Sequence, residues 1–242
     1  MPAPHNPFKQ ALENGTLQLG CWLGLADPYI AEISAGAGFD WLLVDAEHAP
    51  NDLRSIVAQL QVIAARDSHA VVRPPIGETW IIKQLLDAGA QSLLIPMVES
   101  ADQARELVDA VTYPPHGVRG VGSALARASD FAAIGDYLTT ARSEICLLAQ
   151  VENQKGMDAL DDILTVDGVD GVFVGPSDLA ADMGFIGQAG AAEVKAAVVD
   201  AMTKIVASGK AAGILTLDTE LQQQCRDIGA TFIASEIDVT LF

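Results

Sequence analysis

Apolar residues along this chain fall into short β-branched or leucine-rich runs, separated by longer stretches in which they recur at helical spacing. The alternation is plainest between Glu144 and Gly184. Residues 145–151 and 171–174 are apolar runs of strand length, and between them Met157, Leu160, Ile163 and Leu164 recur every three or four positions. A strand, a helix and a strand in that order predict two parallel neighbours. The same reading gives further strands at 18–25, 41–44, 70–72, 92–95, 211–215 and 231–234. Helices are expected at 6–14, from Asp27 and Pro28 to 37, from an Asn51 cap to 65, and at 79–88, 101–111, 191–208 and 218–228. Eight strands alternating with helices predict a (β/α)8 TIM barrel, one domain over 1–242, with its final helix missing or truncated because the sequence stops at Phe242. Residues 113–143 break the rhythm with YPPHGVRGVGSALARASDF, a connection of the length that is usually functional or interfacial.

In such a barrel chemistry is carried where strands end at their carboxyl edge, so polar residues just past each apolar run are the candidates. They are Asp45, Glu47 and His48 after the second strand, Arg73 after the third, Gln150 and Glu152 after the fifth, and Ser177 and Asp178 after the sixth. Glu152 and Asp178 leave neighbouring strands, and two oxygen donors without cysteine suit a hard divalent cation such as Mg2+ or Mn2+. As plain structure they would be a helix-start residue and a turn residue. His48, three positions after Asp45, is a candidate general base oriented by that carboxylate. Arg73 offers a planar fork for a carboxylate or a developing oxyanion, or equally a structural ion pair with a barrel acid. Trp22 lies near the first strand's outlet.

Composition narrows the field. Half of the 242 residues are hydrophobic, enough for a large core, and a net charge of −18 argues against nucleic acid and anionic membranes as partners. Cys21, Cys146 and Cys225 are far apart and without metal-ligand spacing, which reads as reduced thiols in a cytoplasmic protein. The amino terminus carries no signal-peptide pattern, and no apolar run is long enough to span a bilayer. No lysine stands at a strand outlet, which disfavours Schiff-base chemistry, and no glycine-rich phosphate cup follows the seventh or eighth strand.

The ordered motifs WLLVDAEHAP, VVRP, LLIPMVES, YPPHGVRGVGSALARAS, QVEN and GVFVGPSDLAADMG resemble the HpcH/HpaI class II pyruvate aldolases over nearly the whole chain. The resemblance implies retro-aldol cleavage of 4-hydroxy-2-oxo acids, such as 4-hydroxy-2-oxoheptanedioate of aromatic-acid degradation, to pyruvate and an aldehyde. It implies Glu152 and Asp178 as ligands of Mg2+, Mn2+ or Co2+, with no organic cofactor. It also implies His48 as base, Arg73 as stabiliser of the enolate oxygen, and Gln150, Ser177 and Asp178 as pyruvate contacts, with Trp22 shaping the aldehyde side. Asp87, in KQLLDAGAQ, matches a residue that raises the basicity of the histidine. It ends a helix on the far side of its own barrel, so only a neighbouring subunit brings it to His48; a homo-oligomer, by resemblance a homohexamer, goes with that assignment. A solvated acid at a helix end is the plain alternative for Asp87. Glu236 stands past the eighth strand where the family tends to have a small residue, and an acid there would repel anionic substrates. Competing expectations are a keto-deoxy sugar acid aldolase, a non-catalytic binder of metal and keto acid, and a thioester lyase. The last is disfavoured because no basic patch for a coenzyme A phosphate is apparent.

Overall fold

A computed structural model describes residues 1–241; Phe242 lies outside the described residues. Eight parallel strands close into a barrel in sequence order: β1 Gln18–Leu23, β2 Trp41–Asp45, β3 His69–Arg73, β4 Ser92–Ile95, β5 Cys146–Val151, β6 Gly171–Val174, β7 Ala211–Leu215 and β8 Phe232–Ile237. Most helices lie outside, where alternate strand residues such as Leu42, Val44, Val72, Leu147, Ala149 and Val172 pack against them in a continuous apolar layer. The other alternation faces the barrel axis. Trp41, Phe232 and Phe8, the last from the opening helix Pro7–Glu13, meet with ring centroids 5.8 to 6.2 Å apart and plug the floor. Two strands make room for this plug: a Cβ on Gly20 or Gly213 would sit 2.2 Å from the rings of Trp41 and Phe232 respectively.

Several expected boundaries shift by a residue or more, four of them as follows. β1 ends at Leu23 rather than at residue 25, because the N–H groups of Gly24 and Leu25 turn to the Asp238 carboxylate (2.9 and 3.1 Å). β8 runs on to Ile237, so Glu236 lies within the strand, paired with Cys21 beside an irregularity at Gly20/Cys21. Asp52, not Asn51, caps the helix Leu53–Ile63, in a reciprocal box with Ser55. The segment after β5 is two short helices, Gln154–Asp158 and Leu160–Leu164, meeting at Ala159. β8 leads into a short helix, Asp238–Leu241. The three cysteines are buried and unpaired, and among the described residues no helix is long and apolar enough to cross a membrane.

Candidate active site

The inward alternation that fills the floor also delivers the site. Leu43 and Asp45 are successive inward positions on β2, Val71 and Arg73 on β3, Leu148 and Gln150 on β5, and the next after Gln150 is Glu152. Residues that change from apolar to polar along one face mark where the packed interior gives way to a cavity. The register places Asp45 directly beside Arg73. Arg73 donates from Nε to Asp45 Oδ1 (2.9 Å) and from Nη2 to Oδ2 (2.7 Å), a bidentate pair with both side chains buried. The indole of Trp22 donates to Asp45 Oδ2 (3.2 Å), and its ring lies 4.9 Å from the Arg73 guanidinium carbon. Burial opposes the Asp45 charge, but Arg73, the Glu47 N–H and the Trp22 indole outweigh it and hold the carboxyl below its ordinary range.

This arrangement corrects the expected Asp45–His48 pair. Both Asp45 oxygens are taken by Arg73, Trp22 and the backbone of Glu47, and the acid nearest His48 is Glu47, at 4.0 Å between Nε2 and Oε2. The His48 side chain is 66% exposed, at the cavity rim. Its turn is anchored by Asn51, which donates to the Asp45 carbonyl (2.6 Å) and accepts from Ser55 and Gln59 (both 2.7 Å). Glu47 Oε2 also lies 2.8 Å from Arg73 Nη1, off the direction in which that nitrogen donates. Burial raises the Glu47 carboxyl against the opposing pull of Arg73.

Glu152 is 2% exposed. Its Oε1 accepts from the Met97 N–H (2.9 Å), a backbone held at φ 55°, and its Oε2 accepts from Gln150 Nε2 (2.5 Å). Burial pushes its carboxyl up to about 7, those two hydrogen bonds oppose the shift, and the charges of Glu47 and Asp178 add to it. Gln150 Oε1 is buried with no partner among the described residues. A Cβ at Gly175 would stand 2.8 Å from Glu152 Oε2, so the turn after β6 passes against this carboxylate and leads into the helix Pro176–Asp182, which carries Ser177 and Asp178. Two acids, an orphaned amide oxygen and a carboxyl driven towards its neutral form are what a cation would relieve. Among the described residues no group of three or more His, Cys, Asp and Glu side chains gathers as a metal site. Glu152 and Asp178 line the same cavity, and a pair of carboxylates suits a hard ion that keeps water or substrate oxygens as its other ligands.

A cavity of about 430 Å3 joins Trp22, His48, Arg73, Gln150, Glu152, Ser177 and Asp178, with Asp45 paired to Arg73 and Trp22 beside it. The rest of the lining includes Phe173, Leu215, Leu217, Leu221 and Ile237 together with Thr216 and Asp218, none of which the sequence pattern singles out. Inward alternation on β6 accounts for Phe173, two positions before Gly175, and the β7 outlet for Leu215. Glu236 is absent from the lining; Ile237 takes the place expected for it. Asp87 is absent too. It lies near the end of the helix Thr79–Ala88 and accepts from Nη2 of Arg119 (2.9 Å), a fully buried arginine 4.4 Å from the Tyr113 ring and 5.8 Å from that of Tyr137. Rather than a solvated acid it is half of an ion pair that fastens residues 113–143 to the barrel wall.

A family model described as HpcH/HpaI aldolase/citrate lyase matches residues 18–242. A hydroxypyruvate/pyruvate aldolase of Roseovarius nubinhibens is 62% identical over 241 residues, covering 100% of this chain and 94% of that protein. A 4-hydroxy-2-oxo-heptane-1,7-dioate aldolase of Salmonella dublin is 54% identical over 236 residues, covering 98% and 90%. The crystal structure of an HpcH/HpaI aldolase/citrate lyase family protein from Burkholderia cenocepacia superposes with a TM-score of 0.94 at 39% identity, covering 98% of this chain and 94% of that one.

Proposed function

Since the chain belongs to the HpcH/HpaI aldolase/citrate lyase family, whose relatives here are enzymes named as aldolases, we propose that it is a divalent-metal-dependent pyruvate aldolase. It cleaves 4-hydroxy-2-oxo acids to pyruvate and an aldehyde, and runs the addition in reverse. The observation that carries this reading is the meeting, in one cavity, of Glu152 with Asp178, Gln150, Ser177, His48 and Arg73. Glu152 and Asp178 would hold Mg2+, Mn2+ or Co2+. Bound there, the ion supplies Lewis-acid stabilisation of negative charge on the keto oxygen.

The protein's own groups do the rest. Gln150 and Ser177 bind and orient the keto-acid end. His48, exposed at the rim and flanked by Glu47, takes the proton of the 4-hydroxyl; the bond between C3 and C4 breaks, the aldehyde leaves, and protonation at C3 completes pyruvate. Asp45 engages Nε and Nη2 of Arg73 and fixes the guanidinium plane, so the N–H groups on Nη1 remain for the enolate oxygen. Asp87 acts on His48 from a neighbouring subunit, which makes the working form a homo-oligomer, a hexamer by family resemblance. The 242 residues constitute one aldolase domain that works in the cytoplasm.

The test is pyruvate release from 4-hydroxy-2-oxoheptanoate and from 4-hydroxy-2-oxoheptanedioate. Chelation abolishes release and added Mg2+, Mn2+ or Co2+ restores it; release undiminished by chelator, or in Glu152→Ala, overturns the reading. A second reading, hydroxypyruvate in place of pyruvate as the donor, is favoured by the name of the Roseovarius relative.

A further inference from the structure

We propose that Asn51 is a positioning residue for the reaction: it clamps the turn that carries His48 and so sets where the base stands. The inference rests on the assignment of His48 as base above and adds to the same reaction a residue outside the cavity lining.

The imidazole has little of its own to hold it. Its side chain is 66% exposed and makes no hydrogen bond among the described residues, and Glu47 Oε2 stands 4.0 Å away. Its place at the rim is therefore set by the backbone beneath it. That backbone, residues 45–51, leaves the barrel where β2 ends, with the Ala46 N–H still donating to the Arg73 carbonyl (2.9 Å), and must meet the helix Leu53–Ile63. Asn51 joins the two ends. Its Nδ2 donates to the Asp45 carbonyl (2.6 Å), six positions back, while its Oδ1 accepts from Ser55 and Gln59 (both 2.7 Å). Ser55 and Gln59 are four positions apart on that helix, so they meet the amide from one face, and Gln59 is fully buried. Because Asp52 caps the helix, the Asn51 amide is left for the turn. The other bonds within the turn are local: the Glu47 N–H donates to Asp45 Oδ1 (3.0 Å) and the Asn51 N–H to the Ala49 carbonyl (2.8 Å). Neither spans His48, and the Asn51 amide does.

A substrate that needs no hydroxyl base isolates this role. In 4-hydroxy-2-oxoheptanoate the hydroxyl proton must leave as the bond between C3 and C4 breaks. In oxaloacetate the same bond breaks with CO2 as the leaving group and no hydroxyl proton to remove. In both, the electron pair passes to the enolate oxygen and C3 then takes a proton to give pyruvate. Pyruvate release from each substrate is followed with the Mg2+-loaded full chain. Asn51→Asp keeps the size of the side chain and both acceptor bonds and replaces only the donor to Asp45; Asn51→Leu removes all three bonds. Each variant is expected to lower kcat on the hydroxy acid by about 100-fold with KM within about two-fold, and to lower the ratio of hydroxy-acid cleavage to decarboxylation by about the same 100-fold. His48→Ala lowers that ratio further. Equal loss on the two substrates, or no loss, overturns the role of Asn51 and leaves the aldolase reading intact. Wild-type cleavage of the hydroxy acid by His48→Ala overturns the base assignment, and failure of the wild-type protein to release pyruvate from oxaloacetate overturns the shared enolate; this inference falls with either.

Discussion

At Glu152 the proposed metal-binding role and the stability of the fold pull in opposite directions. Burial raises its carboxyl from the ordinary 4.5 to about 7 in the metal-free protein, so between those values the folded state holds a proton that the unfolded chain has released. The stability associated with that proton is fully present below pH 4.5 and is lost as pH rises through 7. The shift corresponds to ~3 kcal/mol at most. Glu152→Gln keeps the shape and removes the charge, so in EDTA at pH 8 it is expected to be more stable than wild type by about 2 kcal/mol, with no difference at pH 4. Urea unfolding at the two pH values checks this; equal stability at pH 8 would contradict it. The same variant should lose nearly all metal-dependent activity. Wild-type metal affinity should rise with pH across that window, because the ion displaces the proton. Arg73→Lys replaces a fork by a point charge, and kcat should fall by about 100-fold because Asp45 and the reacting oxygen can no longer be served together. Steady-state kinetics on 4-hydroxy-2-oxoheptanoate decide it.

At the scale of elements, the strands separate packing from chemistry along their length. Gly213→Ala on β7 drives a methyl group into the Phe232 ring and should destabilise the barrel by about 3 kcal/mol while leaving KM for metal near wild type. Gly175→Ala, past the end of β6, presses instead on the Glu152 carboxylate, so metal affinity should fall by about ten-fold or more with little change in unfolding. Calorimetric metal titration and thermal unfolding of the two variants distinguish the ends of the barrel. Strand positions were legible in the sequence because burial on both faces forces continuous apolar runs. β8 outruns its apolar pattern because Ser235 and Glu236 interrupt the run, and β1 stops short of its pattern because the Asp238 carboxylate that ends it lies at the other end of the chain. The acids and Arg73 were legible as strand outlets. The partner of Asp45 was not, since the pairing with Arg73 depends on register between strands, and the apolar lining residues were hidden among ordinary core residues.

For the whole molecule, the position of Asp87 is the informative misfit. It is fixed by Arg119 on the outer wall of its own barrel, away from the cavity that holds His48. If it serves a neighbour's site, mixing inactive Asp87→Asn and His48→Ala proteins and allowing subunits to exchange should restore activity, since some sites then receive both intact residues. No recovery on exchange would confine Asp87 to fastening residues 113–143. The sequence showed that Asp87 could not reach its own site, because a helix end and a strand outlet lie on opposite sides of a barrel. It could not show Arg119, which is brought to Asp87 by a long connection without periodic pattern. All of the proposed roles depend on one ion held between the ends of β5 and β6. Electron paramagnetic resonance of Mn2+ added to the metal-free protein at pH 8 tests that dependence most directly. A single bound Mn2+ whose spectrum changes when pyruvate is added, and which is lost in both Glu152→Gln and Asp178→Asn, is the expected result. Binding and the pyruvate response unaltered in those two variants would contradict it.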